Sequence, residues 1–310
     1  MTLCPLIISH WFWVYLSYLL LYTDIIIVQL INYFHMLFKD YTSFNSEGTE
    51  LRKLQLRMLD MLKVIDRICR KHKIPYWLSS GTALGAVRHG GFIPWDDDLD
   101  LEIYRKDYKR LLKVLFEELP DSMIVQTNRT DKNYVAQYAK VRDLNTYLEE
   151  GVGVTNPNYK FNGVFIDIFP MERIPLFFLK LSSKLHHRIY LLSSIKNDSM
   201  GIKVFFMNCC LCGLEYIVYP FFRLFAPFAN KKILRYSLGL GFFTERYIDE
   251  IMPLKDIEFE GYTFLSPNNI DAYLKRLYGD YMKIPPENER VNHMPLIIQF
   301  EGEEPIYAEK

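Results

Sequence analysis

The sequence predicts an α+β fold, with a mixed sheet core followed by a mostly helical C-terminal region. Three observations predict it. An amphipathic helical pattern leads into a short apolar strand near Pro75. Apolar and acidic residues then alternate from Leu99 to Ile103, which is the two-residue period of a half-buried strand. From Leu176 to Phe243 the composition shifts to Phe, Leu, Ile and Tyr, and hairpin signals are absent.

The first helix is predicted by apolar residues that recur at three- and four-residue steps, with charges on the other face. They are Leu51, Leu54, Met58, Met61, Ile65 and Ile68. Tyr76–Leu78 follows Pro75 as a short strand, and Gly81 opens a run of small residues that favours a helix packed closely on that strand. The order is therefore helix, strand, helix.

The remaining elements follow from the same periodicities. They predict two further strands, at Tyr134–Val141 and Val164–Phe169, and a helix at Lys106–Leu119. They also predict a hairpin around Glu260-Gly261, at Ile257–Phe264, and a last short helix at Ile270–Tyr278. Val204–Pro220 carries a single charge, Glu215. Such a segment forms a buried core helix or rests on a membrane surface, and its length favours the core.

Residues 1–40 form a separate apolar segment, in which Asp24 is the only formally charged side chain before Lys39. Leu3–Thr23 is long enough to cross a bilayer, and the basic residues that follow predict a cytoplasmic location for the rest of the chain. Two interpretations stay open, a membrane anchor and an upstream extension that precedes a start at Met36. We expect a core over residues 41–170 and a mostly helical region over 171–310.

Charge and cysteine content limit the function classes. The 310 residues include 37 basic and 37 acidic side chains, so no global field favours nucleic acid, and we expect no such partner. The odd number of cysteines, five, argues against a regular disulfide framework. Cys209, Cys210 and Cys212 lie in a very apolar stretch, which favours buried free thiols over a zinc site with His186 and His187.

Four carboxylates within five positions, Asp96-Asp97-Asp98-Leu99-Asp100, mark the strongest candidate site. Their mutual repulsion is hard to tolerate without a cation, and hard oxygen ligands at this spacing suit Mg²⁺ or Mn²⁺. A calcium EF-hand requires Gly at position 101 and Glu at 107, where this chain has Leu101 and Asp107. A solvated acidic turn stays open as the alternative.

A further carboxylate, Asp167, lies between Ile166 and Ile168, where an unpaired charge is costly to bury. Three features together resemble the nucleotidyltransferase fold, in which three strand carboxylates hold two metals. They are Ser80-Gly81-Thr82, Asp98-x-Asp100 and the later apolar strand that contains Asp167. The spacing from Gly81 to Asp98 is longer than in many members of that fold.

The full stretch from Tyr76 to Asp100, YWLSSGTALGAVRHGGFIPWDDDLD, closely resembles the LicD family, which includes the fukutin-related ribitol-phosphate transferases. Further similarity is found in Lys140-Val141-Arg142, in Phe165–Pro170, and from Tyr278 to His293. The resemblance covers roughly residues 50 to 300. It implies that Asp98, Asp100 and Asp167 are metal ligands and catalytic residues, with Asp96 beside them.

The same resemblance implies a set of substrate-binding residues. Arg side chains grip phosphate oxygens through a bidentate fork and Lys acts as a point charge. The set comprises Ser80, Gly81, Thr82, Arg88, Lys140, Arg142 and Arg290. For the basic residues, surface solubility is the alternative. His293 is a candidate general base, with a structural role as its alternative. Trp77, Trp95 and Tyr104 are candidates to cage a quaternary ammonium, or else core residues.

The family resemblance implies an enzyme that uses Mg²⁺, or Mn²⁺, to move phosphocholine or a similar phospho-alcohol. The donor would be a CDP-alcohol, CDP-choline first, and CMP would leave. The acceptor would be a cell-surface glycan, free or lipid-linked, such as lipopolysaccharide, teichoic acid or capsule. The alternatives are a nucleotidyltransferase that releases pyrophosphate and a membrane-anchored binding protein without turnover. The catalytic domain is expected in the cytoplasm, with anchoring at the inner face of the cytoplasmic membrane left open.

Overall fold

A mixed sheet forms the centre of the computed structural model, which describes residues 45–149, 158–194, 200–286, 290, 297–304 and 306–307. The strands in chain order are β1 Tyr76–Leu78, β2 Asp100–Tyr104, β3 Met123–Gln126, β4 Ala139–Asp143, β5 Tyr147–Glu149, β6 Phe165–Glu172, β7 Ile233–Tyr236, β8 Arg246–Tyr247, β9 Lys255–Phe259, β10 Tyr262–Ser266, β11 Ile297–Gln299 and β12 Ile306–Tyr307. The helices are α1 Glu50–Lys71, α2 Ser80–His89, α3 Arg105–Glu118, α4 Leu176–Ser194, α5 Met200–Gly213, α6 Tyr219–Arg223, α7 Ile248–Ile251 and α8 Ile270–Tyr278.

The main sheet has the strand order β1-β2-β6-β4-β3, with β7 added beside β6 and β8 beside β7. β2 and β6 run parallel, whereas the other pairs are antiparallel. Strands β9 and β10 form a separate hairpin, and β5, β11 and β12 form a small third sheet. The α+β fold class predicted from the sequence is confirmed.

Helix α1 packs its predicted apolar face into the core. All six residues of the predicted ladder are buried, and each such Leu, Ile or Met contributes about 1.5–3 kcal/mol through burial. The side chain of Thr49 caps the helix by accepting a hydrogen bond from the backbone N–H of Arg52, at 3.3 Å. Arg70 and Lys71 lie in the last turn, where positive charge interacts favourably with the negative end of the helix dipole.

The structure differs from the sequence predictions at several strands. The strand expected at 134–141 pairs only from Ala139 to Asp143, and the short strands β3, β5, β11 and β12 were not predicted. Strand β7 lies inside the region that was predicted to be helical throughout. These strands have two to five residues, too few to establish a two-residue period, so their pairing partners decide their conformation.

The described residues belong to one compact unit that begins at Phe44. The apolar segment 1–40 lies outside the described residues. The division at residue 170 stays a prediction, and strand β6 runs through that position.

Helices α4, α5 and α6 form a helical layer after strand β6. A π-helical turn, Leu214–Val218, joins α5 to α6, so that Gly201–Arg223 is one continuous 23-residue helical segment. Within the described part of the chain, this is the one helix with the length and composition to cross a membrane. It was expected to be a buried core helix, and that expectation is wrong for its outer half, because Phe205, Phe206 and Tyr216 are each more than 60% exposed.

Candidate active site

Three adjacent strands place two carboxylates and one ammonium group in a single row. Asp100 on β2 is the register partner of Asp167 on β6, and Asp167 is in turn the partner of Lys140 on β4. Directly opposed residues project to the same face of a sheet. The Nζ atom of Lys140 lies 2.9 Å from Oδ1 of Asp167 and donates a hydrogen bond to Oδ2 at 3.1 Å.

The loop before β2 brings Asp96 and Asp98 to the start of helix α2. A Cβ atom added to Gly81 would lie 2.8 Å from Oδ2 of Asp96 and 4.0 Å from Oδ1 of Asp98. Only glycine leaves room for the Asp96 carboxylate at this distance. The sequence-predicted residues Gly81, Asp98 and Asp100 are therefore brought together, and Asp96 joins them.

The first turn of α2 also holds strand β2. The hydroxyl Oγ1 of Thr82 accepts a hydrogen bond from the backbone N–H of Asp100 at 2.9 Å, and Ser79 N–H donates to the carbonyl of Asp100 at 3.1 Å. Ser80 has a left-handed φ of 47°, which produces the tight turn into the helix. Thr82 is buried and its hydroxyl is engaged, so it positions Asp100 in this structure.

Gln55 supports the acidic loop and was not singled out from the sequence. Its Nε2 atom donates hydrogen bonds to the carbonyls of Asp96, at 2.8 Å, and Ile93, at 3.3 Å. It is fully buried on the apolar face of α1. The only available signal was a polar residue next to Leu54 in an otherwise apolar ladder.

Burial and crowding make the carboxylates hard to ionise. Burial, and then the charges of Asp98, Asp167 and Asp96, raise the pKa of Asp100 well above its usual range. Burial and Asp98 do the same to the pKa of Asp96. Burial raises the pKa of Asp167 to about 6, although the nearby ammonium of Lys140 acts in the opposite direction. A site of this kind favours a bound cation.

Within the described ranges, no three His, Cys, Asp or Glu side chains converge into a preformed metal cluster. The donors themselves suit Mg²⁺ or Mn²⁺, because they are hard carboxylate oxygens that destabilise one another. Asp98, Asp100 and Asp167 thus have the donor chemistry that such an ion requires, and Asp100 and Asp167 are register partners on adjacent strands. Lys140 is the ion-pair partner of Asp167 in this structure.

Lys140 and Arg142 are buried, with 6% and 1% of their surface exposed, so a solubility role is excluded for both. The guanidinium of Arg142 donates to Oε1 of Gln126 at 2.8 Å and to the carbonyl of Gly163 at 2.7 Å. Its remaining nitrogen, Nη2, is buried and has no hydrogen-bond partner in the protein. The internal contacts show that Arg142 supports the sheet, and a phosphate contact would have to be made through Nη2.

Arg290 lies beside the acidic loop, and Arg88 is linked to it through His89, whose ring packs against Trp95. Arg88 donates from Nη1 to the carbonyl of Tyr281 at 2.9 Å and from Nε to Nε2 of His89 at 3.0 Å. The guanidinium of Arg290 lies 4.7 Å from the ring centre of Trp95, the residue before Asp96. His293 lies outside the described residues, so its role stays a prediction.

The candidate ammonium cage is not assembled as expected. Trp77 is fully buried, and its Nε1 donates to Oε2 of Glu102 at 2.9 Å. Tyr104 packs edge-on against Trp77, with ring centres 5.6 Å apart. Trp77 is therefore a core residue, and Trp95 lies against Arg290 and the ring of His89.

Beside the row of carboxylates, Glu102 and Arg246 form a buried ion pair that sequence reasoning missed. Nη2 of Arg246 lies 2.8 Å from Oε1 of Glu102, and it also donates to the hydroxyl of Tyr236 at 3.0 Å. Glu102 lies two residues after Asp100 on β2, so alternation could have identified it. Arg246 could not be found in this way, because the pair spans 144 residues.

The cysteine cluster does not match its prediction. Cys209 and Cys212 are exposed on α5, so the expectation of buried thiols is wrong for them. The imidazole of His186 is engaged elsewhere, with Nδ1 2.9 Å from the hydroxyl of Tyr219 and Nε2 2.7 Å from the carbonyl of Val135. The alternative of a zinc site with His186 gains no support from this arrangement.

Comparison with known proteins identifies relatives of this chain. The family model described as LicD/FKTN/FKRP, nucleotidyltransferase domain, matches residues 73–192. The lipopolysaccharide cholinephosphotransferase LicD of Haemophilus influenzae is 31% identical over 259 residues, which cover 78% of this chain and 95% of that protein. The human ribitol-5-phosphate transferase FKTN is 34% identical over 82 residues, 26% of this chain and 17% of that protein. Human ribitol 5-phosphate transferase FKRP is 59% identical over 34 residues, 11% of this chain and 7% of that protein.

Proposed function

The chain belongs to the LicD family of phosphotransferases, and we propose that it transfers phosphocholine, or a related phospho-alcohol, from a CDP-linked donor to a hydroxyl group of a cell-surface glycan. One observation carries the proposal. The row formed by Asp100, Asp167 and Lys140 lies within residues 73–192, the part of the chain that matches the LicD/FKTN/FKRP nucleotidyltransferase domain. Charged groups of both signs in one buried row suit a diphosphate and its counter-ion.

Asp98, Asp100 and Asp167 would hold Mg²⁺ or Mn²⁺, and such an ion would neutralise negative charge on the donor diphosphate. The raised pKa of Asp100 supports this, because burial and then the neighbouring carboxylates make its charged form costly without a cation. Gly81 and Thr82 supply space and a fixed backbone position around these carboxylates.

The side chains of the site would act mainly by positioning and by electrostatic stabilisation, as in other phosphoryl transfers. Lys140 lies on the row and offers a positive charge to a phosphate oxygen. Arg88 and Arg290 would hold the remaining phosphate charge. Ser80 stands at the amino end of α2, where backbone N–H groups favour anions. His293 would take the proton from the attacking hydroxyl. Attack at the phosphorus that bears the alcohol releases CMP.

Product analysis tests the reaction. Purified protein would be incubated with CDP-choline, CDP-ribitol or CDP-glycerol, and separately with CTP, each with Mg²⁺ and glycan acceptors from lipopolysaccharide, teichoic acid and capsule. We expect CMP with one of these donors. Pyrophosphate released from CTP, without CMP from any CDP-alcohol, would support the nucleotidyltransferase alternative, and no turnover with any donor would support a binding protein.

A direct binding measurement tests the metal assignment. In calorimetry without donor, the wild type should bind Mg²⁺ or Mn²⁺, whereas Asp98→Asn and Asp100→Asn should bind it at least tenfold more weakly, because each loses a charged ligand. Asp121→Asn is the control, since Asp121 is an exposed carboxylate at the turn before β3. Equal metal binding by all four proteins would refute the assignment.

The cellular location follows as a further part of the proposal. The catalytic domain would lie in the cytoplasm, on the side of the basic residues that follow the apolar segment, and segment 1–40 would attach it to the inner face of the cytoplasmic membrane. A variant that begins at Met36 should keep its turnover of a soluble acceptor and leave the membrane fraction if the segment is the anchor.

A further inference from the structure

The helical segment Gly201–Arg223 has two apolar faces, of which only one is covered. Its inner face, with Met207, Leu211, Tyr219 and Phe222, is buried in two core clusters. Its outer face is formed by large apolar residues that are 54% to 86% exposed, namely Ile202, Phe205, Phe206, Tyr216, Ile217 and Phe221. We call these six residues the outer helical face.

The spacing of the outer helical face makes it continuous. Its residues form two groups, at 202–206 and at 216–221, and the exposed Cys209 and Cys212 continue the three- and four-residue spacing between them. Together they form a stripe along the helix, opposite the buried residues. Single exposed apolar residues are ordinary on a protein surface, whereas a contiguous stripe marks a surface that binds something. Because the inner face is packed on the domain, the helix lies along the surface and does not leave it.

Basic residues are concentrated in the part of the chain that contains this stripe. Between residues 173 and 235 the sequence has ten basic and two acidic residues, although the whole chain is neutral. Helix α4 packs beside α5 through Ile189, and it exposes Lys180, Lys184 and Arg188 at four-residue intervals on one face. The acidic residue within the segment, Glu215, accepts a hydrogen bond from Nε2 of Gln137 at 2.8 Å.

We propose that the outer helical face lies in the interfacial region of an anionic phospholipid bilayer, with the basic residues of α4 against the lipid headgroups. Aromatic and aliphatic side chains together with flanking Lys and Arg are the composition of helices that lie in the plane of a membrane surface. A protein partner or a second copy would also cover apolar side chains, but neither accounts for the concentration of positive charge beside them. The inference goes beyond the proposed reaction and does not depend on it.

Native thiols offer a local readout of this surface. Cys209 and Cys212 are exposed on α5 near the outer helical face, whereas Cys69 is fully buried and reports unfolding if it becomes labelled. The full-length protein would be labelled with a water-soluble maleimide, and each site followed by peptide mass spectrometry. Vesicles of phosphatidylcholine with phosphatidylglycerol should slow labelling of Cys209 and Cys212 at least tenfold. A cysteine introduced by Lys113→Cys on helix α3, which carries none of the residues of the outer helical face, should label at an unchanged rate.

Charge variants test the headgroup contact separately from segment 1–40. Lys184→Gln and Arg188→Gln should each raise the vesicle concentration that half-protects Cys209 by about fivefold, the effect of one surface charge. Lys113→Gln is the matched control, since its side chain is 74% exposed on α3, and it should change nothing.

Four results would overturn the proposal. The first is binding of the protein to vesicles while Cys209 and Cys212 are labelled as fast as they are without vesicles. The second is a protein that does not bind anionic vesicles. The third is protection of both thiols without lipid at low protein concentration, which would mean that the chain covers its own face. The fourth is protection that grows with protein concentration in the absence of lipid, which would assign the face to a second copy.

Discussion

Lys140 and Asp167 face each other on neighbouring antiparallel strands, and the ammonium nitrogen lies 2.9 Å from one carboxylate oxygen. Both side chains are buried. The removal of one partner leaves an uncompensated charge in the interior, which costs much more than the loss of an exposed ion pair.

The change Lys140→Met should therefore lower the free energy of unfolding by about 3–5 kcal/mol in EDTA. Asp167→Asn should also lower the free energy of unfolding. The double variant should lose less of this free energy than the two single variants lose together, because it removes both charges. The control pair, Lys275 and Asp271, has the same 2.9 Å separation but is exposed, so Lys275→Met should cost less than about 1 kcal/mol. Urea denaturation measures all four variants. Equal effects of Lys140→Met and Lys275→Met would contradict the buried pair.

Gly85→Ala should destabilise the acidic loop. A Cβ at this position would lie 2.4 Å from the carbonyl oxygen of Gly91 and 3.0 Å from the backbone nitrogen of Ile93, and backbone cannot give way as a side chain can. We expect a loss of about 1–3 kcal/mol in the free energy of unfolding.

The matched control for this change is Gly213→Ala. Gly213 is also helical and has no atom within 4 Å of an added Cβ, so alanine should stabilise it by about 0.5–1 kcal/mol. Thermal unfolding distinguishes the two variants. A Gly85→Ala protein as stable as the wild type would show that α2 does not pack on the Gly91–Ile93 backbone.

His186 should make stability depend on pH. Burial lowers the pKa of His186 to about 4, so the folded protein keeps the imidazole neutral while the unfolded chain binds a proton below pH 6.5. The free energy of unfolding of the protein should therefore fall as the pH falls, by about 2 kcal/mol between pH 7 and pH 5.

The His186→Gln variant should lack that part of the pH dependence, because glutamine does not titrate. Urea denaturation of the wild type and this variant at pH 7, 6 and 5 isolates the contribution of His186 from that of other groups. Parallel curves for the two proteins would show that His186 is protonated in the folded state or does not contribute.

The elements that the sequence predicted best are those whose apolar residues recur with a regular period, because that period shows which face must be buried. The ladder from Leu51 to Ile68 predicted the buried face of α1, and alternation around Asp100 predicted strand β2. The clustered carboxylates and Asp167 were brought together because β2 and β6 are adjacent parallel strands.

The remaining features depend on contacts between distant parts of the chain. Glu102 and Arg246 meet across 144 residues, and Gln55 supports a loop 41 residues away. Hydropathy also misled the interpretation of α5, because composition shows that a helix is apolar but not which face is covered. The exposure of Cys209 and Cys212 could be found only from the packing of α5.

The most direct test of the proposed reaction is the fate of the phosphorus atom next to the alcohol. CDP-choline labelled with ³²P in the choline-bearing phosphate would be incubated with the protein, Mg²⁺ and glycan acceptor, with Asp100→Asn as the inactive control. We predict that the label enters the glycan while unlabelled CMP is released, and that Asp100→Asn transfers none. Label that remains in soluble phosphocholine, with CMP joined to the acceptor, would contradict the account.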